Sequence, residues 1–390
     1  MKNKLRIFVY SVGRSDFERF LPVLNILNKK KNINLQIIPS YIHYLKYFGS
    51  TIKNIKKNFS IIHSKSDKKI SSKSEDNPDY LSNMVSSEIR KISSIFKRKK
   101  PDMIFVLGDR FEMISAPIAA LPFNIPVIHL YGGALTEGAI DDSIRHSITK
   151  LSHFHLVAHL EYKKRIQQLG EENWRITNIG IPEINLMKQQ KKMSKKEINS
   201  IIGLDLDKKT ILVTFHPVTK EPELIKKHVK ILSKVLKRIK IQIILTYPNS
   251  DLGFKEIVNE YKLLSAKFKN IKLIKNAGLK IYTNLMMHCD LMLGNSSSGI
   301  VEASSFKLPV INIGDRQKGK IKPSNVIDCK FSESSINQAV NLGLSRKFKK
   351  KITGVKNPYE KKINLLKILD QIIIKSQNKS FLKKKFNDCF

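Results

Sequence analysis

The chain has 390 residues, which exceeds the usual size of a single hydrophobic core and predicts two domains. Hydrophobic residues make up 41% and charged residues 27%, a globular composition that excludes a disordered or fibrous chain. The 71 Lys and Arg against 33 Asp and Glu give a net charge of +38, which fits either a solvated lysine-coated surface or a preference for anionic ligands such as nucleotide diphosphates.

Short β-branched runs alternate with longer amphipathic stretches, which is typical of parallel strands joined by crossover helices. The first group of predicted strands covers 5–9, 35–39, 103–107, 127–130 and 154–158. The second group covers 211–215, 241–247, 271–274, 291–293 and 310–313. We therefore predict an α/β fold of two Rossmann-like domains, over 1–185 and 200–372, with an interdomain cleft.

Three polar segments do not fit this strand and helix pattern. The stretch 187–200 is rich in charge and is the best candidate for the interdomain linker. Residues 65–79 contain few apolar side chains and predict a mobile surface loop. Residues 373–390 are predicted to form a basic, frayed tail.

Two predicted strands of the first domain end in glycine and charged residues. The first ends in SVGRSDFERF, where Arg14 could form a forked contact with phosphate oxygens, although a surface arginine is the alternative. The strand FVLGDRFEM ends in Asp109 and Arg110. One possibility is that these two residues simply form an ion pair with each other and have a structural role. At the carboxyl end of a strand, Asp109 is also a candidate general acid or base, because ligands bind there in α/β folds.

The densest polar run of the chain is HLYGGALTEGAIDDSIRHSITKLSH, at 129–153. A helix that starts near residue 140 would carry one polar face and one apolar face. The polar face would contain Asp142, His146, Thr149 and His153. Asp141 and Arg145 form a second pair at i, i+4, and Asp141 lies in the first turn, where it can face a ligand. Each histidine could be structural, but the density of ionisable groups favours an active site.

Two segments of the second domain carry similar signals. In ILVTFHPVT, His216 follows a strand and precedes a proline, which suits either a positioned ring facing the cleft or a structural role. In GNSSSGIVEA, small residues at a predicted helix start could present N–H groups and hydroxyls to a diphosphate, while a simple helix cap is the alternative. The candidate phosphate contacts are Ser296, Ser297 and Gly299. Glu302 could accept hydrogen bonds from ribose hydroxyls.

Cysteine usage and the N-terminus bear on the compartment. The three cysteines, Cys289, Cys329 and Cys389, form no CxxC pair, which favours a reducing compartment and no structural zinc. The N-terminal apolar run is too short for a signal peptide, and no stretch approaches eighteen apolar residues. We expect a soluble cytoplasmic protein with no membrane or nucleic-acid partner.

Together these motifs resemble the hydrolysing UDP-N-acetylglucosamine 2-epimerase family, which serves sialic acid or legionaminic acid synthesis. The resemblance rests on GDRFE, GGALTEGAIDDSIRHSITKLSH, FHPVT, GNSSSGIVE and PVINIGDRQKGK, over about residues 5–325. It implies a glycosyltransferase-B-like fold, with UDP held mostly by the C-terminal domain and the sugar facing the N-terminal domain. It also implies a homo-oligomer, a UDP-sugar substrate and no metal or other cofactor.

The resemblance further implies deprotonation of the sugar at C2, anti elimination of UDP and hydration of the resulting glycal. Its motifs suggest Asp109 and Asp141 as acid and base, and His216 as a catalytic group of the sugar site close to the leaving diphosphate. The substrate contacts that it suggests are Arg14, Ser296, Ser297, Gly299 and Arg316 for phosphate or other anionic groups, Glu302 for ribose, and Arg110, Arg145, His146 and His153 around the sugar.

The sequence departs from the family pattern at two positions. Many relatives carry an acidic residue or histidine where Tyr131 stands and glutamate where Ala134 stands. Glu137 lies nearby and could act as the second acid. The expected substrate is UDP-N-acetylglucosamine, with UDP-N,N'-diacetylbacillosamine as the alternative. A non-hydrolysing epimerase, a glycosyltransferase of the same fold and a nucleic-acid-binding protein are the competing functions.

Overall fold

The structure is a computed structural model that describes residues 4–45, 50–64, 77–249 and 251–388. The chain divides into two compact units. The first unit comprises Met1–Ala134, Asp141–Glu183 and Lys361–Phe390, and the second comprises Leu135–Ile140 and Ile184–Glu360. Of the predicted surface loop 65–79, residues 65–76 lie outside the described residues.

The described elements, in chain order, are twelve strands and fifteen α-helices. The strands are β1 Leu5–Ser11, β2 Ile33–Pro39, β3 Met103–Leu107, β4 Val127–Leu130, β5 Phe154–Val157, β6 Ile176–Asn178, β7 Thr210–Thr214, β8 Gln242–Thr246, β9 Ile271–Ile274, β10 Leu291–Gly294, β11 Val310–Ile313 and β12 Val326–Cys329. The helices are α1 Arg14–Asn28, α2 Ile52–Asn58, α3 Pro78–Arg98, α4 Ser115–Ala120, α5 Asp141–Leu151, α6 Leu160–Gln168, α7 Glu183–Gln189, α8 Lys195–Ile202, α9 Ile225–Arg238, α10 Phe254–Lys267, α11 Gly278–His288, α12 Ser297–Val301, α13 Glu333–Leu344, α14 Arg346–Lys351 and α15 Leu365–Ser376.

The first unit contains a parallel sheet with the strand order β2-β1-β3-β4-β5-β6. Every residue of β3 and β4 is buried, as expected for central strands covered on both faces by helices. Because all six strands are parallel, their carboxyl ends meet at one edge of the sheet. Residues that directly follow β1, β3 and β4 therefore lie near one another.

The second unit repeats this design with a parallel sheet in the order β12-β11-β10-β7-β8-β9. One face of the sheet packs on α9, α10 and α13 through an apolar cluster that includes Leu232, Ile257 and Ile336. A second apolar cluster on α8 and α11 contains Ile198 and Leu285. The predicted α/β class with two Rossmann-like units is thus confirmed.

The predicted linker at 187–200 is wrong, because the segment lies within the second unit, which includes Ile184–Glu360, and most of it is helical. It contains the end of α7 and the start of α8. The Ser194 hydroxyl accepts a hydrogen bond from the Glu197 amide, and the Glu197 carboxylate accepts one from the Ser194 amide, which forms a complete capping box. The charged residues of this segment therefore lie mainly on the outer faces of helices.

The prediction of a frayed C-terminal tail is also wrong for the described residues up to 388. The Phe381 side chain is 1% exposed and stacks on Phe154. Arg175 donates hydrogen bonds to the carbonyl oxygens of Phe381 and Lys383, at 2.8 and 3.2 Å. Lys384 binds the Glu171 carboxylate at 2.8 Å. These contacts hold the segment against the first unit.

Across the described residues, no helix combines the length and apolar character that crossing a bilayer requires.

Replacing Phe381 with alanine should lower the free energy of unfolding by about 3–5 kcal/mol, because it leaves a cavity beside Phe154. Phe386 lies five residues further along the same segment and is 68% exposed, so Phe386→Ala serves as the matched control. Its expected effect is within about 1 kcal/mol. Urea unfolding of both variants measures the difference, and equal losses would contradict the packing described for Phe381.

Candidate active site

The carboxyl end of β3 is fixed by a buried histidine of the neighbouring strand β4. The Nε2 atom of His129 lies 2.9 Å from the carbonyl oxygen of Gly108, the residue that precedes Asp109. Since the carbonyl can only accept, Nε2 carries the hydrogen. Burial lowers the pKa of His129 to about 3, so the ring is neutral at physiological pH. His129 therefore fixes the backbone on which Asp109 is placed.

Arg145, on α5, joins three parts of this edge. Its side chain is 1% exposed and forms an ion pair with Asp109. It also donates to the Ala134 carbonyl at 2.6 Å and lies 3.4 Å from a carboxylate oxygen of Asp142. Burial alone would lower the pKa of Arg145, but Asp109, Asp141 and Asp142 outweigh it and raise the pKa. The structure thus brings the predicted residues Asp109 and Arg145 together.

Asp141 and His146 lie on the same helix. Asp141 is the first residue of α5, as the sequence pattern predicts within one residue. The His146 Nε2 atom is 3.8 Å from Asp142, while its buried Nδ1 atom has no hydrogen-bond partner among the described residues. Burial lowers the pKa of His146 in spite of Asp142. A neutral, half-buried imidazole with an unused ring nitrogen can hydrogen-bond a ligand.

Arg110 is held by two buried carboxylates. Its Nη2 atom donates to Glu112 at 3.1 Å, and its Nε atom is 3.9 Å from Asp16. Burial raises the pKa of Asp16 to about 7 although Arg110 opposes this shift. Arg14 begins α1, two residues before Asp16, and is half-buried. The ends of β1 and β3 therefore share one charged cluster.

His153 does not belong to the site, contrary to the prediction. The helix α5 ends at Leu151, so the i, i+11 relation with Asp142 is not realised. His153 directly precedes β5, and its Nδ1 atom accepts a hydrogen bond from the Val127 amide at the start of β4. It therefore lies at the amino end of the sheet, where its ring stacks on Phe381. Burial lowers its pKa to about 4, as suits a structural histidine.

In the second unit, Asn295 connects His216 with Arg316. The Asn295 side chain accepts from the His216 amide at 2.7 Å and donates to the His216 carbonyl at 2.9 Å. The Asn295 carbonyl in turn accepts from Arg316 at 3.2 Å and from Gln317 at 2.8 Å. Asn295 was not predicted as a site residue, although its position between a predicted strand and the serines was a usable signal.

Hydroxyl groups converge at the carboxyl ends of β7, β8 and β10. Ser296 is the N-cap of α12, and its hydroxyl lies 3.0 Å from that of Ser298. The Tyr282 hydroxyl is 2.7 Å from Ser298 and 3.3 Å from Thr214. Ser297, the first residue of α12, is half-buried. This edge can offer several hydroxyl donors to one anion, as predicted for a diphosphate.

Gly299 packs closely against β11, while its predicted contact with a ligand stays a prediction. Its amide donates to the Ser296 carbonyl at 3.2 Å, so that donor is used inside the helix. A Cβ atom at Gly299 would come within 2.8 Å of Val310, which a side chain cannot tolerate. Glycine at this position therefore lets α12 approach β11 closely.

Two further residues of the second unit, Arg316 and Glu302, were predicted to bind an anionic group and the ribose. Both are buried. Arg316 is 7% exposed and lies 3.6 Å from Asp251, and its Nε atom has no hydrogen-bond partner among the described residues. Glu302 is 6% exposed at the C-terminal end of α12. Glu137, in contrast, is exposed and pairs with Lys318 at 3.2 Å. The Glu137 carboxylate is thus held in a solvent-exposed ion pair.

A buried pair that the sequence analysis did not identify lies at the end of β4. The Tyr131 hydroxyl donates to Glu183 at 2.5 Å, and both side chains are buried. These residues are 52 positions apart. Within the part of the chain that the structure describes, His, Cys, Asp and Glu form no group of three or more that could hold a metal ion.

Comparison with known proteins identifies relatives over most of the chain. The UDP-N-acetylglucosamine 2-epimerase family matches residues 25–373. The chain is 39% identical to the GDP/UDP-N,N'-diacetylbacillosamine 2-epimerase (hydrolyzing) of Campylobacter jejuni, covering 89% of each chain. It is 33% identical to the UDP-N,N'-diacetylbacillosamine 2-epimerase (hydrolyzing) of Legionella pneumophila, covering 88% of this chain and 90% of the relative.

A solved structure shares the fold. The UDP-GlcNAc 2-epimerase of Neisseria meningitidis, bound to UDP-GlcNAc, superposes with a TM-score of 0.77 at 18% identity, covering 95% of this chain and 100% of that chain. This agreement confirms the glycosyltransferase-B-like fold class.

Replacing Asp16 with asparagine should change how stability depends on pH. Between pH about 4, where a free aspartate ionises, and pH about 7, the folded chain keeps a proton that the unfolded chain loses, so the free energy of unfolding falls as pH rises. The asparagine variant has no ionisable group at position 16, so this loss of stability with rising pH does not occur in it. Its stability relative to the natural chain should therefore rise by roughly 3 kcal/mol across this window. Urea unfolding at several pH values measures it, and parallel curves would contradict the assignment.

Proposed function

The chain belongs to the UDP-N-acetylglucosamine 2-epimerase family and is a hydrolysing 2-epimerase, and we propose that it acts on UDP-N,N'-diacetylbacillosamine. The substrate assignment rests on the similarity to the Campylobacter and Legionella enzymes, which extends over nearly nine tenths of the chain. UDP-N-acetylglucosamine is the second candidate, because the chain is also 32% identical to the UDP-N-acetylglucosamine 2-epimerase of Neisseria meningitidis. The products would be UDP and a free sugar epimerised at C2.

The reaction must move two protons at C2, one on each face of the ring. A base removes the C2 proton, the C–H electron pair forms the C1=C2 bond, and the C1–O electron pair leaves with UDP. Water then gives hydroxide to C1 and its remaining proton to a base, and an acid returns a proton to the opposite face of C2. We assign acid and base roles to Asp109 and Asp141. Arg145 forms an ion pair with Asp109 and fixes the direction of its carboxylate.

The second unit supplies groups suited to the departing diphosphate. Arg316 has a buried cationic head with an unused Nε donor. The hydroxyls of Ser296 and Ser297 add neutral donors at the same edge, where His216 also lies. Hydrogen bonds to the phosphate oxygens would stabilise the charge that UDP carries away. We assign Glu302 to accept hydrogen bonds from the ribose hydroxyls.

The remaining first-unit candidates are assigned to the substrate by position. Arg14, Arg110 and His146 lie at the carboxyl edge of the first sheet, where α/β folds bind ligands. The sugar-nucleotide substrate and the free thiols of Cys289 and Cys329 fit a cytoplasmic location in this proposal. A homo-oligomer and the absence of a cofactor remain predictions.

A direct assay compares the two UDP sugars in deuterated buffer. We expect release of UDP and a free sugar from both candidates or from one, with the higher kcat/KM for UDP-N,N'-diacetylbacillosamine. Because the returning proton comes from an exchangeable acid, mass spectrometry should find one deuterium at C2 of the product. A product still joined to UDP would indicate a non-hydrolysing epimerase, and turnover only with an added acceptor would indicate a glycosyltransferase.

The assigned carboxylates can be tested by Asp109→Asn and Asp141→Asn. Each should lower kcat by roughly 10²–10⁴-fold, since each removes a proton-transfer group. Asp79→Asn is a control on an exposed aspartate at the start of α3. Circular dichroism and UDP binding establish that each variant is folded, which matters for Asp109 because its buried partner Arg145 loses an ion pair. Near-normal kcat in folded variants would refute the assignment.

A further inference from the structure

Tyr131 has a backbone conformation that an aromatic residue seldom adopts. It directly follows β4 with φ of 65°, in the left-handed region. For an aromatic residue this region is unfavourable by about 1–2 kcal/mol, and it persists only where neighbouring contacts enforce it. Such strain often accompanies a side chain that function requires in a particular place.

Contacts on both sides hold Tyr131 in this conformation. Its amide donates to the Leu156 carbonyl at 2.7 Å. The next two residues form a tight turn: a Cβ atom at Gly132 would meet His129 at 2.9 Å, and the Gly133 carbonyl accepts from Arg165 at 2.6 Å. These contacts fix the backbone on both sides of the Tyr131 side chain.

The phenol is directed at a buried carboxylate. The Tyr131 hydroxyl lies 2.5 Å from Oε2 of Glu183, the first residue of α7, and the two residues are 7% and 2% exposed. A hydroxyl-to-carboxylate distance of this size is typical of a strong, charge-assisted hydrogen bond. The proton of the phenol thus already points at a group that can accept it.

The pair lies at the edge of the sheet that carries Asp109. Leu107 at the end of β3 is paired with Leu130 at the end of β4, so Asp109 and Tyr131 follow the ends of adjacent strands. Glu183 follows β6 at the same edge of the parallel sheet. Two titratable groups therefore lie beside the proposed sugar site without a role in the reaction as described so far.

We propose that Tyr131 and Glu183, in place of one of the two aspartates, form the base that removes the C2 proton of the sugar. Asp109 and Asp141 then serve the hydration step, which refines the roles assigned to them above. The phenolic oxygen takes the C2 proton while its own proton passes to the Glu183 carboxylate. The C2–H electron pair becomes the C1=C2 bond, and the C1–O electron pair leaves with UDP. Glu183 then returns its proton to solvent. This assignment rests on the proposed function and deepens it.

The proton relay removes a difficulty for a tyrosine base. A free phenol ionises near pH 10, so a phenolate would be scarce at neutral pH. With Glu183 as the final acceptor, the phenol gains one proton as it loses another and never has to exist as a phenolate. Glu137, the acid suggested by sequence, has no such arrangement, because it is exposed and paired with Lys318.

Two variants separate proton transfer from simple packing. Tyr131→Phe keeps the ring but removes the hydroxyl, and Glu183→Gln keeps a hydrogen-bond acceptor for the phenol but cannot take a proton. Both should lower kcat for UDP release by roughly 10²-fold or more, with KM and the Kd for UDP within about threefold of the natural values. A structural contact alone would let Glu183→Gln retain near-normal kcat, and that result would overturn the proposal.

The hydration half of the reaction gives an independent readout. When the 2-acetamido glycal of the substrate sugar is supplied with UDP, Tyr131→Phe should hydrate it at the natural rate, whereas Asp141→Asn should not. Loss of both half-reactions in Tyr131→Phe, together with a lowered Tm, would assign Tyr131 a structural role and overturn the proposal.

The first unit offers a matched control. Tyr10 donates to Glu88 at 3.0 Å in an equally buried phenol–carboxylate pair. Tyr10→Phe should leave kcat within about threefold, because general acid–base effects apply only to groups that reach the substrate.

If the natural chain releases UDP from neither UDP sugar, the proposed function itself fails. If it does so and Tyr131→Phe does too at the natural rate, only the Tyr131–Glu183 assignment fails.

Discussion

The buried guanidinium of Arg145 is the interaction on which the arrangement of the first unit depends. It pairs with Asp109 at the end of β3, approaches Asp142 on its own helix and binds the Ala134 carbonyl beyond β4. A buried cation requires compensating charge, so these groups must stay close together whenever the unit is folded. The same requirement fixes the carboxylate that we assign to chemistry. The ion pair therefore serves the fold and, in the proposed function, the chemistry as well.

In the second unit, hydrogen bonds of amide and hydroxyl groups fix the site residues, as the Arg145 ion pair does in the first unit. The Asn295 side chain forms hydrogen bonds with both the amide and the carbonyl of His216. The Asn295 carbonyl accepts hydrogen bonds from Arg316 and Gln317. The parallel sheets explain why residues so distant in sequence meet, because every strand delivers its carboxyl end to the same edge. Each unit therefore gathers its polar residues at one edge, with carboxylates and arginines in the first and with hydroxyl, amide and arginine donors in the second.

Regular patterns in the sequence predicted the buried strands well, and the errors have physical causes. Strands 103–107 and 127–130 are fully apolar or nearly so, and their predicted bounds match β3 and β4. The strands that were missed, β6 and β12, lie at sheet edges, are only three and four residues long, and are mostly half-buried, so they lack a continuous apolar signal. His153 was misplaced because helical spacing was extended two residues past the end of α5. The Tyr131–Glu183 contact spans 52 positions and has no periodic signal, so only the fold could bring it to light.

The central claim is that the sugar reacts at the carboxyl edge of the first sheet, between its carboxylates and Tyr131. A crystal structure of the Glu183→Gln variant with intact UDP-N,N'-diacetylbacillosamine measures this most directly, because the slowed variant should retain its substrate. We predict that C2 of the sugar lies within about 3.5 Å of the Tyr131 hydroxyl, with Asp109 or Asp141 on the other face of the ring. A hexose bound away from Asp109, Asp141 and Tyr131 would contradict the account.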